Sequence, residues 1–121
     1  MSQLKKLDRR INADEVAVLR AVLSIAATGP ESRTLADLVD DLQVVSACTC
    51  GCDSIDFARA DEQKSTPVAQ AIGQTARGGT VGVIVWGTSR HITGLEVYDL
   101  GAGRDDLRLP IPSSIRPWAA G

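Results

Sequence analysis

Three cysteines, Cys48, Cys50 and Cys52, stand at alternate positions in the segment SACTCGCDS, and they are all the cysteines of the chain. Alternate residues of an extended strand share one face, so these thiols would lie in a row. A bend at Gly51 could bring the sulfur atoms close enough to bind one zinc ion, and His91, the single histidine, would complete a Cys3His set. The spacing lacks the paired C-x2-C pattern of zinc fingers and ribbons. Three interpretations stay open: a structural zinc site, a thiol redox or sensing site, and small apolar residues packed in a strand.

A second group of side chains that could act on a ligand is acidic. Asp37, Asp40 and Asp41 belong to a predicted helix, and Glu96 and Asp99 to a predicted strand. Carboxylates of this kind can complement a basic cleft on a partner protein. On the helix they could equally be only its solvent-exposed side.

Recognisable catalytic patterns are missing from the sequence. The glycine-rich pieces RGGTVG and LGAGRD lack the GxxxxGK[ST] and GxGxxG patterns that bind phosphate between a strand and a helix. There is no HExxH pattern and no nucleophile elbow. We therefore predict no catalytic residues, no cofactor apart from the alternative of zinc, and binding rather than catalysis.

The composition limits the classes of protein to which this chain can belong. The chain has 121 residues, 44% of them hydrophobic, which is enough for one core and one domain. A net charge of -2 and an aromatic content of 3% argue against a nucleic-acid-binding surface. The first fifteen residues carry four basic side chains but no apolar stretch of a secretory signal, and no segment is apolar enough to span a membrane. Together with the odd number of cysteines, this predicts a cytoplasmic protein.

Two helices are predicted between residues 12 and 42. Asn12 and Glu15 have the spacing of a capping box, and the apolar residues of INADEVAVLRAVLSIAATG then recur at helical intervals up to Gly29-Pro30. The segment SRTLADLVDDL repeats the helical pattern. We expect the two helices to pack against each other, because the linker between them is short.

From residue 43 to residue 100 the period changes to that of strands. Alternating segments follow one another, with RGGT as a hairpin turn. Residues 101–121 contain prolines and glycines and are predicted to form an irregular tail with a turn at 112–115. The predicted fold class is α+β, with two N-terminal helices packed on a four- to five-stranded antiparallel meander sheet. An exposed sheet edge would also be compatible with a homodimer.

The order of these segments resembles a group of small bacterial proteins of unknown function. Those proteins have a C-x-C-G-C-x-S segment and a G-L-E-V strand before a proline-containing tail. Here the matching residues are Cys48, Cys50, Gly51, Cys52 and Ser54, together with Gly94 to Val97. The group has a proline after the third cysteine where this chain has Asp53, which leaves the shape of the bend open. The resemblance transfers no catalytic residue.

These observations lead to a non-enzymatic protein-binding domain of bacterial type, such as an immunity or inhibitor protein that occludes a toxin or another enzyme. The alternative is a small metal-binding or thiol-redox protein that uses the CTCGC segment.

Overall fold

The described part of the chain forms one antiparallel sheet with helices on one face. The computed structural model describes residues 4–26, 31–48, 52–58, 64–88 and 90–118. Its helices are α1 (Ala13–Ala26) and α2 (Glu31–Leu38). Its strands are β1 (Leu4–Arg10), β2 (Gln43–Cys48), β3 (Ile55–Phe57), β4 (Thr66–Gln74), β5 (Thr80–Gly87), β6 (Ile92–Asp99) and β7 (Arg116–Pro117). Short 3₁₀ turns occupy Val39–Asp41, Arg104–Asp106 and Pro112–Ser114.

The predicted fold class, two N-terminal helices on a four- to five-stranded meander, is wrong. Within the described residues the sheet has seven strands in the order β1-β2-β3-β6-β5-β4-β7, and every neighbouring pair is antiparallel. Strand β1 comes before the helices and β7 comes from the predicted tail, so the sheet extends beyond residues 43–100 at both ends. The sheet is not a simple meander either, because β3 pairs with β6 instead of β4.

Strand β1 was missed because its sequence, LKKLDRR, is mostly charged. An edge strand pairs on one side only, and charged residues on it oppose pairing with a second chain. β1 pairs with β2 through Lys5 and Ala47, with an irregularity between Lys6 and Arg9. Strand prediction depends on apolar and β-branched alternation, which such an edge strand does not need.

The β3–β6 pairing departs from a meander, in which each connection joins strands that are neighbours in the sheet. Ile55 pairs with Leu95 and Asp56 with Gly94. The chain from β3 to β4 must then pass two strands, a distance of about 14 Å at a strand spacing of about 4.8 Å. The connection between Phe57 and Thr66 is accordingly longer than a hairpin turn.

Helix α1 begins at the predicted capping box, which the structure confirms. The backbone N–H of Glu15 donates to Asn12 Oδ1 at 2.8 Å, and the backbone N–H of Asn12 donates to Glu15 Oε1 at 3.0 Å. Arg9 donates two further hydrogen bonds to the Glu15 carboxylate, at 2.9 and 2.7 Å. Hydrogen bonding to Glu15 raises the pKa of the Arg9 guanidinium. One buried carboxylate therefore caps α1 and ties it to β1.

The predicted apolar stripe of α1 is confirmed in its centre. Leu19, Val22 and Leu23 are buried, and α1 packs on β4, β5 and β7, while α2 packs on α1. Leu35 and Val39 add buried side chains from the second predicted helix. No helix among the described residues is long and apolar enough to cross a lipid bilayer.

The tail is fastened to the sheet rather than irregular throughout. The backbone N–H of Asp53 donates to the Leu107 carbonyl at 2.9 Å, and Asp53 Oδ2 accepts a hydrogen bond from the Leu109 N–H at 2.8 Å. The predicted turn is confirmed as the 3₁₀ turn Pro112–Ser114, and Ile115 after it is buried in the core. The tail thus closes one end of the sheet and then adds β7 beside β4.

Candidate functional site

The five predicted partner-binding carboxylates lie in two separate parts of the fold. Asp37 is in α2, and Asp40 and Asp41 are in the 3₁₀ turn that leads into β2, at the end of the sheet where β6 begins. Asp40 and Asp41 form ion pairs with arginines of α1 and β1. Glu96 lies within β6, and Asp99 ends it. The structure does not bring the five into one cluster.

The predicted zinc ligands are also separated. Cys48 ends β2 and Cys52 precedes β3, both at the end of the sheet where β6 ends, and Cys50 lies outside the described residues. His91 precedes β6 at the opposite end, and the eight residues of β6 span about 23 Å. Zinc ligands lie about 2 Å from the ion, so His91 is too far away to share one ion with Cys48 and Cys52. Among the described residues no three His, Cys, Asp or Glu side chains are placed to hold a metal ion. A zinc or thiol role of the cysteines without His91 stays a prediction.

The sheet face that points away from α1 carries the other candidate residues. Val83, Val85, Ala69 and Ala71 pack in the core with α1, and the side chains that alternate with them point to the opposite side. We call this side the open face. Cross-strand partners share a face, so the register defines its rows. The first row is Lys6, Ser46, Asp56, Gly94, Trp86 and Pro67; the second is Glu96, Ile84 and Gln70; the third is Tyr98, Gly82, Ile72 and Arg116.

A groove of about 1090 Å³ lies on the open face over β2, β3, β6 and β5. Small residues, Gly94 and Ser54, are among its lining, and Trp86 and Tyr98 add aromatic surface. The charged residues among the described residues that line it are Asp56, Glu96 and Asp99, with no lysine or arginine. An acidic groove with an aromatic lining attracts cationic groups.

Four residues form a recess within this groove, which we call the Gly94 notch: Asp56, Gly94, Trp86 and Glu96. Gly94 stands between Asp56 and Trp86 in the first row, and a Cβ atom at this position would lie 3.2 Å from Asp56 Oδ1 and 3.7 Å from Trp86 Cβ. A larger residue at this position would therefore crowd the Asp56 carboxylate, and glycine allows this carboxylate to lie close to β6. Glu96 is the diagonal neighbour of Asp56, with a spacing of roughly 7 Å.

Hydrogen bonds orient both carboxylates of the Gly94 notch. Trp86 Nε1–H donates to Glu96 Oε1 at 3.1 Å, and Ser46 Oγ–H donates to Asp56 Oδ2 at 2.8 Å. The second oxygen of each carboxylate accepts no hydrogen bond from the described residues. Each group is thus oriented by one hydrogen bond, and among the described residues its other oxygen meets no donor that would compete with a ligand.

Tyr98 borders the groove beyond Glu96. Its ring lies over Gly82, its cross-strand partner, where no Cβ atom could be accommodated. Burial raises the pKa of the Tyr98 hydroxyl above its ordinary value of 10.0, and the negative charge of Glu96 raises it further. The charge of Glu96 is therefore a second cause, after burial, of the raised pKa of Tyr98.

Asp99 has a structural role at the end of β6. Its Oδ1 atom accepts hydrogen bonds from the backbone N–H groups of Gly101 and Gly103, at 2.8 and 3.0 Å. These bonds lower the pKa of Asp99. The side chain closes the turn after β6 and adds negative charge to that end of the groove.

Asp56, Trp86 and Tyr98 were not predicted as site residues. Strand alternation already places Glu96 and Tyr98 on one face of β6, and the β5–β6 hairpin register could have added Trp86. Asp56 could not have been found in this way, because it joins the site only through the β3–β6 pairing.

The Gly94 notch contains acceptors and an aromatic ring, which is chemistry for holding a cation. Comparison with protein-family models, with curated proteins and with solved structures finds no match for this chain. The resemblance to the C-x-C-G-C-x-S group therefore stays a prediction.

Proposed function

We propose that this protein is a non-enzymatic protein-binding domain whose open face docks a basic segment of a partner protein. The observation that carries the proposal is the groove: its charged lining residues within the described part of the chain are all acidic, beside the exposed part of Trp86. Electrostatic complementarity of this kind selects a partner and speeds its association.

The shape of the open face supports a protein rather than a small molecule as the ligand. The first row crosses six strands, about 24 Å at a strand spacing of about 4.8 Å. Partly buried apolar surface lies next to the carboxylates and belongs to Trp86, Ile84, Ile72 and Tyr98. Interfaces between proteins combine an aromatic and aliphatic centre with a polar rim in this way.

Within this proposal, the partner is a toxin or another enzyme with a basic active-site cleft, and the protein acts as an immunity or inhibitor protein. The groove would cover the cleft with Asp56 and Glu96, while Asp37 lies in α2 outside the groove. We place this activity in the cytoplasm, in keeping with an odd number of cysteines. Nucleic acid and membrane are not proposed as partners.

The test is affinity capture from extracts of the source cells with matched variants. The immobilised wild-type protein should retain a basic protein in a stoichiometric amount, and a rise in salt concentration should release it, because exposed charges are screened. The double variant Asp56→Asn with Glu96→Gln should lose this protein. Asp37→Asn also removes one negative charge, but from the exposed surface of α2. This variant should retain the captured protein.

The captured protein must then bind the purified wild-type domain directly. If no stoichiometric protein is recovered, or if the double variant retains it as well as Asp37→Asn does, docking on the acidic groove is wrong.

A further inference from the structure

We infer that the Gly94 notch binds the guanidinium group of an arginine side chain presented by the partner. This inference rests on the proposed function, since it specifies which chemical group enters the groove. It is carried by the arrangement of Asp56, Gly94, Trp86 and Glu96 rather than by the total charge of the groove.

The first argument is the number and position of the acceptors. Asp56 Oδ1 and Glu96 Oε2 have no hydrogen-bond donor among the described residues, and their partner oxygens are held by Ser46 and Trp86. Asp56 and Glu96 are diagonal neighbours across β3 and β6, with a residue spacing of roughly 7 Å. A group with donors pointing in two directions could bond both at charge-assisted distances of about 2.8 Å.

The second argument is the shape of the space between them. Gly94 has no side chain between Asp56 and Trp86, and an added Cβ would stand 3.2 Å from Asp56 Oδ1, so a larger residue there would displace this carboxylate. The groove above these residues, about 1090 Å³ in volume, has room for a flat group beside the partly exposed indole of Trp86. The hydrogen bond from Trp86 Nε1–H to Glu96 Oε1, 3.1 Å long, holds the indole edge next to the second carboxylate.

The third argument distinguishes arginine from lysine. Guanidinium is planar, carries five N–H donors in a rigid fork and stacks on aromatic faces, whereas ammonium is a compact and strongly hydrated charge. Two separated acceptors beside an indole can be satisfied by the N–H groups of one guanidinium that also stacks on the ring. An ammonium group has no plane that could stack on the indole, and it loses more hydration when it enters the groove.

The experiment uses the full-length wild-type protein and three small probes: N-acetyl-argininamide, N-acetyl-lysinamide and the uncharged isostere N-acetyl-citrullinamide. The indole N–H signal of Trp86, assigned against that of Trp118 with Trp118→Phe, is followed by NMR during each titration. The arginine probe should shift the Trp86 signal to saturation, the lysine probe should bind about fivefold more weakly, and the citrulline probe should give no saturable shift.

Variants locate the site. Glu96→Gln and Asp56→Asn should each weaken binding of the arginine probe by about tenfold, since each removes a charged acceptor. Gly94→Ala should weaken it without any change of charge, and Asp37→Asn should leave it unchanged. Circular dichroism of each variant shows whether it is folded. If Gly94→Ala does not fold, the binding result of Glu96→Gln is used to test the inference.

The outcomes separate this inference from the proposed function. If the citrulline probe binds as well as the arginine probe, or if Glu96→Gln binds the arginine probe normally, the notch does not recognise guanidinium. A partner that is captured through Asp56 and Glu96 while the arginine probe fails to bind would overturn the inference and leave the proposed function standing. Probe binding at the notch with no partner captured would support the inference and count against the proposed function.

Discussion

At the scale of single residues, the groove is characterised by two carboxylates that hydrogen bonds orient. Trp86 and Ser46 each donate a hydrogen bond to one carboxylate oxygen, so Glu96 and Asp56 are oriented before any ligand arrives. Preorganised acceptors lose less conformational entropy on binding than mobile ones. Glycine at position 94 also matters, because a Cβ atom there would lie only 3.2 Å from Asp56 Oδ1 and would displace this carboxylate.

The pKa of Tyr98 tests whether the charge of Glu96 acts along the groove. Tyr98 is the only tyrosine of the chain, so phenolate absorbance reports it alone. We expect its pKa above 10.0, because of burial and then of the Glu96 charge, and we expect Glu96→Gln to lower it without restoring the ordinary value. The neutral phenol is favoured in the folded state, so its contribution to stability is complete below pH about 10 and is lost as the pH rises through the raised pKa. Asp37→Asn is the control; an equal pKa in wild type and Glu96→Gln would show that the carboxylate does not act on Tyr98.

At the scale of elements, the start of α1 can be predicted from neighbouring residues, whereas its attachment to β1 cannot. Asn12 and Glu15 could be identified as a capping box from their spacing, because both partners lie within one turn of the helix. The bond from Arg9 to the same carboxylate could not, since it requires β1 to be recognised as a strand. Charged edge strands have no strong sequence signal, and this one was accordingly missed.

Removal of the cap should measure the local contribution. Asn12→Ala is expected to lower the free energy of unfolding by about 1 kcal/mol, because the N–H of Glu15 loses its acceptor. Urea denaturation of the purified protein measures this change. Asn12→Asp keeps an acceptor oxygen and should stay close to wild type; a loss as large as that of Asn12→Ala would contradict a capping role.

At the scale of the whole molecule, the tail completes the fold. After β6 the chain passes the end of the sheet, bonds to Asp53 and returns to lay β7 beside β4. Ile115 is buried in the same core as α1, with 6% of its surface exposed. The tail is thus part of the core and not an appendage.

Two isoleucines of the tail provide a matched test of this role. Ile115→Ala should destabilise the protein by about 2–5 kcal/mol, as expected when a buried isoleucine leaves a cavity. Ile111→Ala, at a position 43% exposed, should change stability by less than about 0.5 kcal/mol. Denaturation midpoints of the two variants measure these changes in stability. Equal losses of stability in both variants would mean that the tail does not contribute to the core.

The sequence by itself determined the properties that depend on neighbouring residues. These are the capping box and apolar stripe of α1, the hairpin at Gly78, and the alternation of β4, β5 and β6. Each arises from contacts a few residues apart, which spacing and residue type express directly. The acidic residue Glu96 was found in this way, but as one of five scattered carboxylates.

Only the tertiary structure decided which strands meet and therefore which side chains share a site. Asp56 lies beside Gly94 because β3 pairs with β6, about forty residues further along the chain, and no local pattern specifies that choice. The same register placed His91 at the opposite end of the sheet from Cys48 and Cys52, and placed Trp86 and Glu96 side by side on the open face. Pairing between distant strands is selected by the burial of the whole core, so the notch appears only when the sheet is complete.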